Sequence, residues 1–149
     1  MEDILIKSVP AHELTAEQFN IIKEMQENVF ENKECWQGMG FFTRVSKAGG
    51  EFFLMKVGDK PAAVCSIDIS EEMPGFQEVR MFFVAPEFLR KGLGGTLLTF
   101  AMNRRRHRDE KFLTVRIPLQ DEGARRFVSR FGFNEIKYDD NIITYAVVL

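Results

Sequence analysis

The chain has 149 residues, of which 45% are hydrophobic, and this suits one domain that buries roughly two thirds of its unfolded surface. Its net charge of −2 argues against a general nucleic-acid-binding protein. Two cysteines without C-x-x-C spacing and two isolated histidines indicate neither a disulfide framework nor a metal site. Since no apolar run reaches about eighteen residues, we expect one cytoplasmic domain, residues 1–149, without a membrane span.

The first half of the chain predicts one strand, one helix and one strand hairpin. Residues 4–9 form the predicted strand, and the sequence Thr-Ala-Glu-Gln that begins at Thr15 fits a capping box. Apolar residues at helical spacing continue this helix to about Phe30. The apolar runs at residues 51–57 and 62–69 flank a Gly-Asp-Lys-Pro turn, which is typical of a hairpin.

A strand, a basic turn and a glycine-rich helix start then follow one another. Residues 79–84 form the predicted strand, Pro86 ends it, and the next helix begins at Gly92. The first N–H groups of a helix have no intrahelical partner, and the helix dipole adds roughly half a positive charge there. Glycines at positions 92, 94 and 95 are expected to keep side chains away from a ligand. The turn therefore predicts a diphosphate site, the alternative being a glycine-rich turn without a ligand.

The remaining sequence predicts a strand, a helix and a closing hairpin. Residues 112–117 form a strand that is parallel to the preceding one, because a helix lies between them. Asp121 is predicted to cap a helix that ends near Phe131. Residues 133–138 and 142–148 then form a hairpin around an Asp-Asp-Asn turn.

Two motifs resemble those of the GNAT superfamily of N-acetyltransferases. Residues 84–94 read V-x-P-E-x-x-x-K-G-x-G and resemble its acyl-CoA signature, whereas the dinucleotide and nucleoside-triphosphate glycine patterns do not match. In this first motif, Leu89 stands where the family has Gln or Arg. Residues 121–133 are similar to a second family motif, in which Val128 stands where the family has Tyr. The resemblance implies an α/β (α+β) fold with a mixed, mostly antiparallel central sheet of about seven strands flanked by helices.

The resemblance also implies acetyl-CoA as cosubstrate and no metal. In the family the pyrophosphate is held mostly by main-chain N–H groups, and main-chain groups near Phe82 and Phe83 would polarise the thioester carbonyl. Arg125 or Arg126 is expected to reach the ribose 3′-phosphate. The cofactor-binding residues implied in this way are Phe82, Phe83, Val84, Leu89, Arg90, Lys91, Gly92, Leu93, Gly94, Gly95, Thr96, Asp121 and Arg125.

The family's tyrosine protonates the departing CoA sulfur, and its position is occupied here by Val128, which cannot donate a proton. A thiol has a pKa of about 8.5 and an amine one of about 10.4, so a tetrahedral intermediate still expels the thiolate. General acid catalysis contributes typically about 10²–10⁴-fold, so its loss slows the reaction without abolishing it. A water molecule, Tyr138 or Tyr145 is predicted to act instead.

An amine must lose a proton before it attacks a thioester, and a carboxylate is the usual proton acceptor. Glu78 lies six residues before Val84, where the resemblance places a catalytic glutamate. The alternative is an exposed carboxylate at the strand start, paired with Arg80 by the two-residue period of a strand.

The acceptor is expected to be a small cationic amine or a peptide amine. Acidic residues at positions 68, 71 and 72 and in the turn at 139–140 would steer a cation, unless they are only solvated turns. The resemblance places residues 31–50 over the acceptor site, so their aromatic side chains either shape the substrate pocket or fill the edge of the core. The predicted substrate residues are Trp36, Phe41 and Asp139.

We therefore predict an N-acetyltransferase in which a primary amine attacks acetyl-CoA directly. The alternatives are an acyltransferase for another acyl-CoA and a catalytically silent CoA-binding or regulatory module, which Leu89 and Val128 suggest. The basic run at residues 104–108 is expected to solvate a helix end; the alternative is a nucleic-acid-binding domain that uses this run, which the net charge of −2 does not favour. The apolar C-terminal strand leaves both a monomer and a homodimer open.

Overall fold

Seven strands form one mixed sheet in the part of the chain that the structure describes. The computed structural model covers residues 2–30 and 38–149 in describable detail. The strand order is β1-β2-β3-β4-β5-β7-β6, and every neighbouring pair is antiparallel except β4 and β5. The elements are β1 (Ile4–Pro10), α1 (Ala16–Val29), α2 (Met39–Lys47), β2 (Glu51–Val57), β3 (Lys60–Ile69), β4 (Phe76–Val84), α3 (Leu93–Arg105), β5 (Phe112–Pro118), α4 (Glu122–Arg130), β6 (Asn134–Asp139) and β7 (Ile142–Val148). The predicted fold class is confirmed.

Helix α1 begins at the predicted capping box. The Thr15 hydroxyl accepts a hydrogen bond from the Gln18 N–H at 3.1 Å, and the Gln18 side-chain oxygen accepts one from the Thr15 N–H at 2.9 Å. Both N–H groups would otherwise lack an intrahelical partner. The helix ends at Val29, one residue before the predicted end.

Strands β3 and β4 are longer than the sequence predicted. Strand β3 begins at Lys60, which pairs with Val57, so the connecting turn holds two residues rather than four. Strand β4 begins at Phe76, because Phe76 to Glu78 pair with β5. Pairing with a neighbouring strand sets where a strand begins, and the apolar pattern of a single strand does not show that pairing.

Two adjacent phenylalanines of β2 show which helices cover each face of the sheet. Phe52 stacks on Phe42 of α2 with ring centroids 5.2 Å apart, whereas Phe53 meets Phe100 of α3 at 6.2 Å. Since successive strand residues point to opposite faces, α2 and α3 cover opposite sides. Phe19 contacts Phe42 at 4.8 Å, which places α1 on the α2 side.

A buried polar cluster joins the end of α3 to the starts of β2 and β4. Arg105 is fully buried, its Nε donates to Gln77 Oε1 at 2.6 Å, and its Nη1 donates to Glu51 Oε1 at 2.9 Å. Burial lowers the pKa of Arg105, while the hydrogen bond to Glu51 opposes that shift. The basic run at the end of α3 is therefore not only a solvated helix terminus, because Arg105 points into the core.

The described helices lie within residues 2–30 and 38–149. Within these ranges, no helix combines the length and apolar character that crossing a bilayer requires.

Candidate active site

An irregularity in β4 breaks the two-residue alternation of side chains near Glu78. Met81 pairs with Ser66 and Val79 pairs with Ile67, so Arg80 is an extra residue without a partner on β3. Such a bulge bends its strand, disrupts the hydrogen-bond ladder and changes which face the following side chains occupy. Regular two-residue alternation would place the side chains of Glu78 and Phe82 on the same face of the sheet. Because the extra residue lies between them, this rule does not apply here.

Strands β4 and β5 separate directly after Glu78. Their parallel pairing comprises Phe76 with Phe112, Gln77 with Leu113 and Glu78 with Thr114. Beyond these pairs the β4 backbone has no strand partner on its β5 side within the described residues. The separation leaves a space between the strands, which is also lined by residues of α3 and α4.

This space, the β4–β5 cleft, has a volume of about 230 Å³. Its walls are mostly apolar, and its polar side chains are those of Arg80, Arg116 and Asp121. A narrow apolar slot suits a flexible chain with few charges. The lining residues are Val79, Arg80, Phe82, Leu98, Val115, Arg116, Ile117, Pro118, Asp121, Ala124, Phe127, Val128 and Phe133.

The basic turn leads into an uncapped helix start. Gly92 precedes α3 in the left-handed conformation (φ 76°), and no side chain caps the helix. Arg90 also has a positive φ of 63°, and both Arg90 and Lys91 are exposed. The N–H groups of the first turn therefore lie beside two cationic side chains, an arrangement that suits an anionic ligand.

The glycines of this turn have different structural roles. Gly92 adopts a backbone conformation that is strained for any residue with a Cβ. At Gly95 a Cβ would lie 2.8 Å from Cζ of Phe131, so this glycine allows α4 to approach α3. Gly95 thus also serves helix packing, and the expectation that the three glycines leave the helix N–H groups open to a ligand stays a prediction.

A second cavity, the α2 pocket, lies on the α2 side of the sheet and measures about 360 Å³. It shares Val79, Arg80 and Arg116 with the β4–β5 cleft, so these residues separate the two spaces. The predicted substrate residue Phe41 lines it, whereas Trp36 lies outside the described residues. The lining residues are Phe41, Arg44, Val45, Ala48, Asp68, Glu71, Glu72, Glu78, Val79, Arg80 and Arg116.

Glu78 lies in the α2 pocket and is held by two arginines. Arg80 Nη1 lies 2.6 Å from Glu78 Oε2, and Arg116 Nη2 lies 3.7 Å from Glu78 Oε1. Only 7% of the Glu78 side chain is exposed, because it faces the pocket rather than bulk solvent. The pairing with Arg80 considered from the sequence is present, but the carboxylate is buried and not exposed as that alternative required.

Asp68 is a second buried carboxylate in the same pocket, and it accepts bonds from Arg80 Nε at 3.0 and 3.1 Å. Burial raises the pKa of Asp68 to about 6, although the bond from Arg80 acts in the opposite direction. The sequence analysis placed Asp68 only among acidic loop residues. Its burial follows from pairing with Glu78 across β3 and β4, which no local pattern shows.

The family model described as Acetyltransferase (GNAT) family matches residues 12–133, well over half of the chain. The chain belongs to this GNAT family. This confirms the predicted resemblance, and the family is one of acyltransferases. An uncharacterized N-acetyltransferase of Methanocaldococcus jannaschii is 27% identical over 107 residues, which are 69% of this chain and 47% of that protein. The chain thus spans about half the length of that curated relative.

Solved structures also share the GNAT fold. The ribosomal-protein-S18-alanine N-acetyltransferase from Escherichia coli matches with a TM-score of 0.77 and 16% identity, over 98% of this chain and 94% of that chain. An acyl-CoA N-acyltransferase from Pseudomonas aeruginosa matches with a TM-score of 0.79 and 11% identity, over 97% and 99% of the two chains. At these identities the likeness concerns the fold alone.

The two tyrosines predicted as proton donors lie away from both cavities of this GNAT chain. The hydroxyl of buried Tyr145 accepts a bond from Arg125 Nε at 3.1 Å and donates to Glu135 at 3.4 Å, in a groove on the opposite side of α4. Tyr138 is 59% exposed and its hydroxyl bonds to Asn141 at 3.2 Å. Val128, at the family's tyrosine position, does line the cleft. The geometry therefore offers no support for either tyrosine as the acid.

The other predicted cofactor-binding residues are scattered between the cleft, the turn and the opposite face. Phe82 and Asp121 line the cleft, and Asp121 also caps α4 through a bond from the Ala124 N–H at 3.1 Å. Phe83 instead contacts Phe30 at 5.7 Å, on the α1 side. Leu89 lies at the turn and is 54% exposed. The predicted cofactor-binding residues at the turn, or at the strand end before it, are Val84, Leu89, Arg90, Lys91, Gly92, Leu93, Gly94, Gly95 and Thr96.

Two predicted ligand residues of this GNAT chain have other neighbours. Arg125 donates to the Leu119 carbonyl at 3.1 Å as well as to Tyr145, so its guanidinium is already engaged beside α4. Asp139 is exposed at the end of β6 and does not line the α2 pocket. The acidic side chains of this pocket therefore come from β3, β4 and the loop between them, and not from the closing hairpin.

Proposed function

We propose that this GNAT chain is an acetyl-CoA-dependent N-acetyltransferase that acts on a primary amine. The observation that supports this most directly is the meeting of two cavities at Val79, Arg80 and Arg116. A thioester in one cavity and an amine in the other would meet beside Glu78. We also propose that residues 1–149 act as one domain in the cytoplasm, as a monomer or homodimer.

The turn and the cleft together fit the two chemically different parts of coenzyme A. The free N–H groups at the start of α3, with Arg90 and Lys91, suit the pyrophosphate. The apolar β4–β5 cleft suits the pantetheine arm, whose thiol end would then lie near Arg80 and Arg116. Main-chain groups of β4 beyond Glu78 have no strand partner on the β5 side in the described chain, so they are available to polarise the thioester carbonyl.

Glu78 is the proposed acceptor of the amine proton. It lines the α2 pocket at the point where β4 leaves β5, which is where the incoming amine would approach the thioester. Asp68 is a second carboxylate on the same arginine, and its pKa of about 6 is close to the working range of a general base. The two carboxylates are joined through Arg80, which is hydrogen-bonded to Asp68 and ion-paired with Glu78.

The α2 pocket supports a cationic acceptor of modest size. Among the described residues, four carboxylates and three guanidinium groups line it, so the formal charge of this described lining is slightly negative. Such an excess attracts an ammonium group by electrostatic steering. Phe41 adds an apolar wall that suits the carbon chain next to an amine. The proposal includes both a small cationic amine and a peptide amine as acceptors.

Isothermal calorimetry with acetyl-CoA and free CoA tests the cofactor site. We expect binding that is weakened at least several-fold in an Arg90→Gln/Lys91→Gln double variant, because two charges beside the pyrophosphate are lost. A Lys7→Gln/Lys23→Gln variant changes the net charge equally on exposed residues away from the turn, and it should bind normally. Absence of CoA binding would overturn the proposal.

Release of CoA thiol over a panel of amines tests the reaction. We expect amine-dependent release with at least one cationic amine or peptide. Binding of acetyl-CoA without release on any amine would instead favour the catalytically silent CoA-binding module.

A further inference from the structure

In the described lining of the β4–β5 cleft, Asp121 is the one carboxyl group, it caps α4 by accepting the Ala124 N–H, and no other side chain could protonate a departing sulfur. Among its described lining residues there is no Ser, Thr, Tyr, Cys, His or Lys, and Val128 occupies the position of the family's tyrosine. The hydroxyl groups of Tyr138 and Tyr145 are engaged elsewhere. The positive charge at the inner end of the cleft comes from Arg80 and Arg116.

Arg116 is the better placed of these two arginines to act on the sulfur. Arg80 already binds Asp68 through Nε and Glu78 through Nη1. Arg116 meets Glu72 and Glu78 through a single nitrogen, Nη2, so its Nε and Nη1 have no protein partner among the described residues. Arg116 also lies on β5 between Val115 and Ile117, which both line the cleft. The Nε and Nη1 donors of Arg116, which carries a permanent positive charge, thus remain available where the two cavities meet.

We propose that Arg116 takes the place of the missing general acid by stabilising the CoA thiolate as an ion. The inference rests on the proposed acetyl transfer. In that step the amine nitrogen forms a bond to the acetyl carbon, the C–S bond breaks, and its electron pair stays on sulfur. Glu78 takes the proton that the ammonium group loses before attack, and the second nitrogen proton, lost as the amide forms, passes to water and not to the sulfur. A guanidinium does not release a proton at accessible pH, so it acts through charge and hydrogen bonding alone.

The link between Glu78 and Arg116 makes this stabilisation strengthen as the reaction proceeds. Before the reaction, the Glu78 carboxylate lies 3.7 Å from Arg116 and offsets part of its charge. Because Glu78 has taken the amine proton before the attack, this offset is absent when negative charge develops on the sulfur. An interaction that is stronger in the transition state than in the ground state accelerates the chemical step.

The thiol pKa of bound CoA tests the inference without requiring turnover. Free CoA is added to excess protein, and alkylation by iodoacetamide is followed as a function of pH by chromatography of the coenzyme, which separates it from the protein's cysteines. We expect the bound thiol to titrate about one pH unit or more below the free thiol, as for a group beside an opposite charge. Arg116→Gln should remove this shift, and Arg116→Lys should keep part of it.

Two further variants separate a charge effect from a structural one. Glu78→Gln should lower the bound thiol pKa further, because Arg116 then has one fewer carboxylate to offset its charge. Arg130→Gln, an exposed arginine of α4 outside the cleft, should leave the thiol pKa unchanged. Calorimetry with CoA on each variant shows that the cofactor site is intact.

The outcomes distinguish this inference from the proposed function. If CoA does not bind, the proposed function fails and the inference fails with it. If CoA binds and the wild-type thiol pKa equals that of free CoA, the inference is overturned while the acetyltransferase proposal stands. The inference is equally overturned if Arg116→Gln binds CoA and leaves the shift intact. The wild-type measurement decides even if the Gln variant does not fold.

Discussion

The Nη1 atom of Arg80 lies 2.6 Å from Oε2 of Glu78. The same guanidinium binds Asp68 on the neighbouring strand through Nε, so one cation joins two buried carboxylates at the edge of the α2 pocket. Arg80 can do this because it is the extra residue of the β4 irregularity and is not bound by the regular strand register. Substitution of either carboxylate is therefore expected to affect the other.

Glu78→Gln should lower kcat by about 10²–10⁴-fold between pH 6 and 9, because an amide cannot accept the amine proton. Thiol release with a responsive amine, measured across this range, checks the prediction. Calorimetry with acetyl-CoA should show that cofactor binding is retained. The matched substitution Glu24→Gln, at an exposed position of α1, should leave turnover unchanged. Unchanged turnover in Glu78→Gln would eliminate Glu78 as the base.

Asp68→Asn should change how stability depends on pH. The folded-state pKa of about 6 lies above the ordinary value of 3.8, so this carboxyl contributes stability that is complete below about pH 3.8 and is lost as the pH rises through about 6. The difference in unfolding free energy between wild type and variant should therefore shift by up to about 3 kcal/mol over this window, in favour of wild type at low pH. Urea unfolding at a series of pH values measures this difference. A difference that is constant with pH would contradict the shifted pKa.

Gly95→Ala should destabilise the junction of α3 and α4. The new Cβ would lie 2.8 Å from Phe131, whereas the corresponding Cβ in Gly94→Ala would lie 3.6 Å from Phe127 and Phe82, an ordinary contact. Both changes gain about 1 kcal/mol in helix propensity, so the comparison isolates the clash. We expect Gly95→Ala to be at least about 1 kcal/mol less stable than Gly94→Ala in urea unfolding. Equal stabilities would show that α4 shifts without cost.

Glu51→Gln should lower the free energy of unfolding by about 3 kcal/mol, because it removes the carboxylate paired with fully buried Arg105. One terminal nitrogen of Arg105, Nη2, already lacks a hydrogen-bond partner within residues 2–30 and 38–149, so the loss of Glu51 adds to an existing deficit. Glu122→Gln breaks an exposed pair with Arg126 at 3.8 Å and should change stability by less than about 0.5 kcal/mol. Urea unfolding of the three proteins checks both values. A loss at Glu51 no larger than at Glu122 would argue against a structural role for the cluster.

Features that depend on neighbours in sequence were predictable. The capping box at Thr15 requires only residues three positions apart, and the glycine-rich start of α3 combines adjacent backbone groups with adjacent charges. The parallel relation of β4 and β5 follows from the helix between them. The family motifs lie within such local segments, which is why the resemblance could be stated before any fold was known.

The position of Tyr145 illustrates what the sequence could not decide. Its strand was predicted, but the strand's place in the sheet sets which side of α4 the hydroxyl reaches. The burial of Asp68 and Arg105 likewise depends on strands and helices distant in sequence. The basic run and the acidic loops both looked like solvated surface, and only packing shows which of their members are buried.

The family, the order of the elements and the basic glycine-rich turn were all predictable without coordinates, because each depends on interactions between residues close along the chain. Only the tertiary structure brought Arg116 of β5 to Glu78 of β4 and joined the cleft to the α2 pocket. That arrangement requires an extra residue in β4 and the separation of β4 from β5, and both are properties of strand pairing over long sequence distances. A carboxylate and a guanidinium in different strands acquire a joint function only when the register places them within a few ångströms.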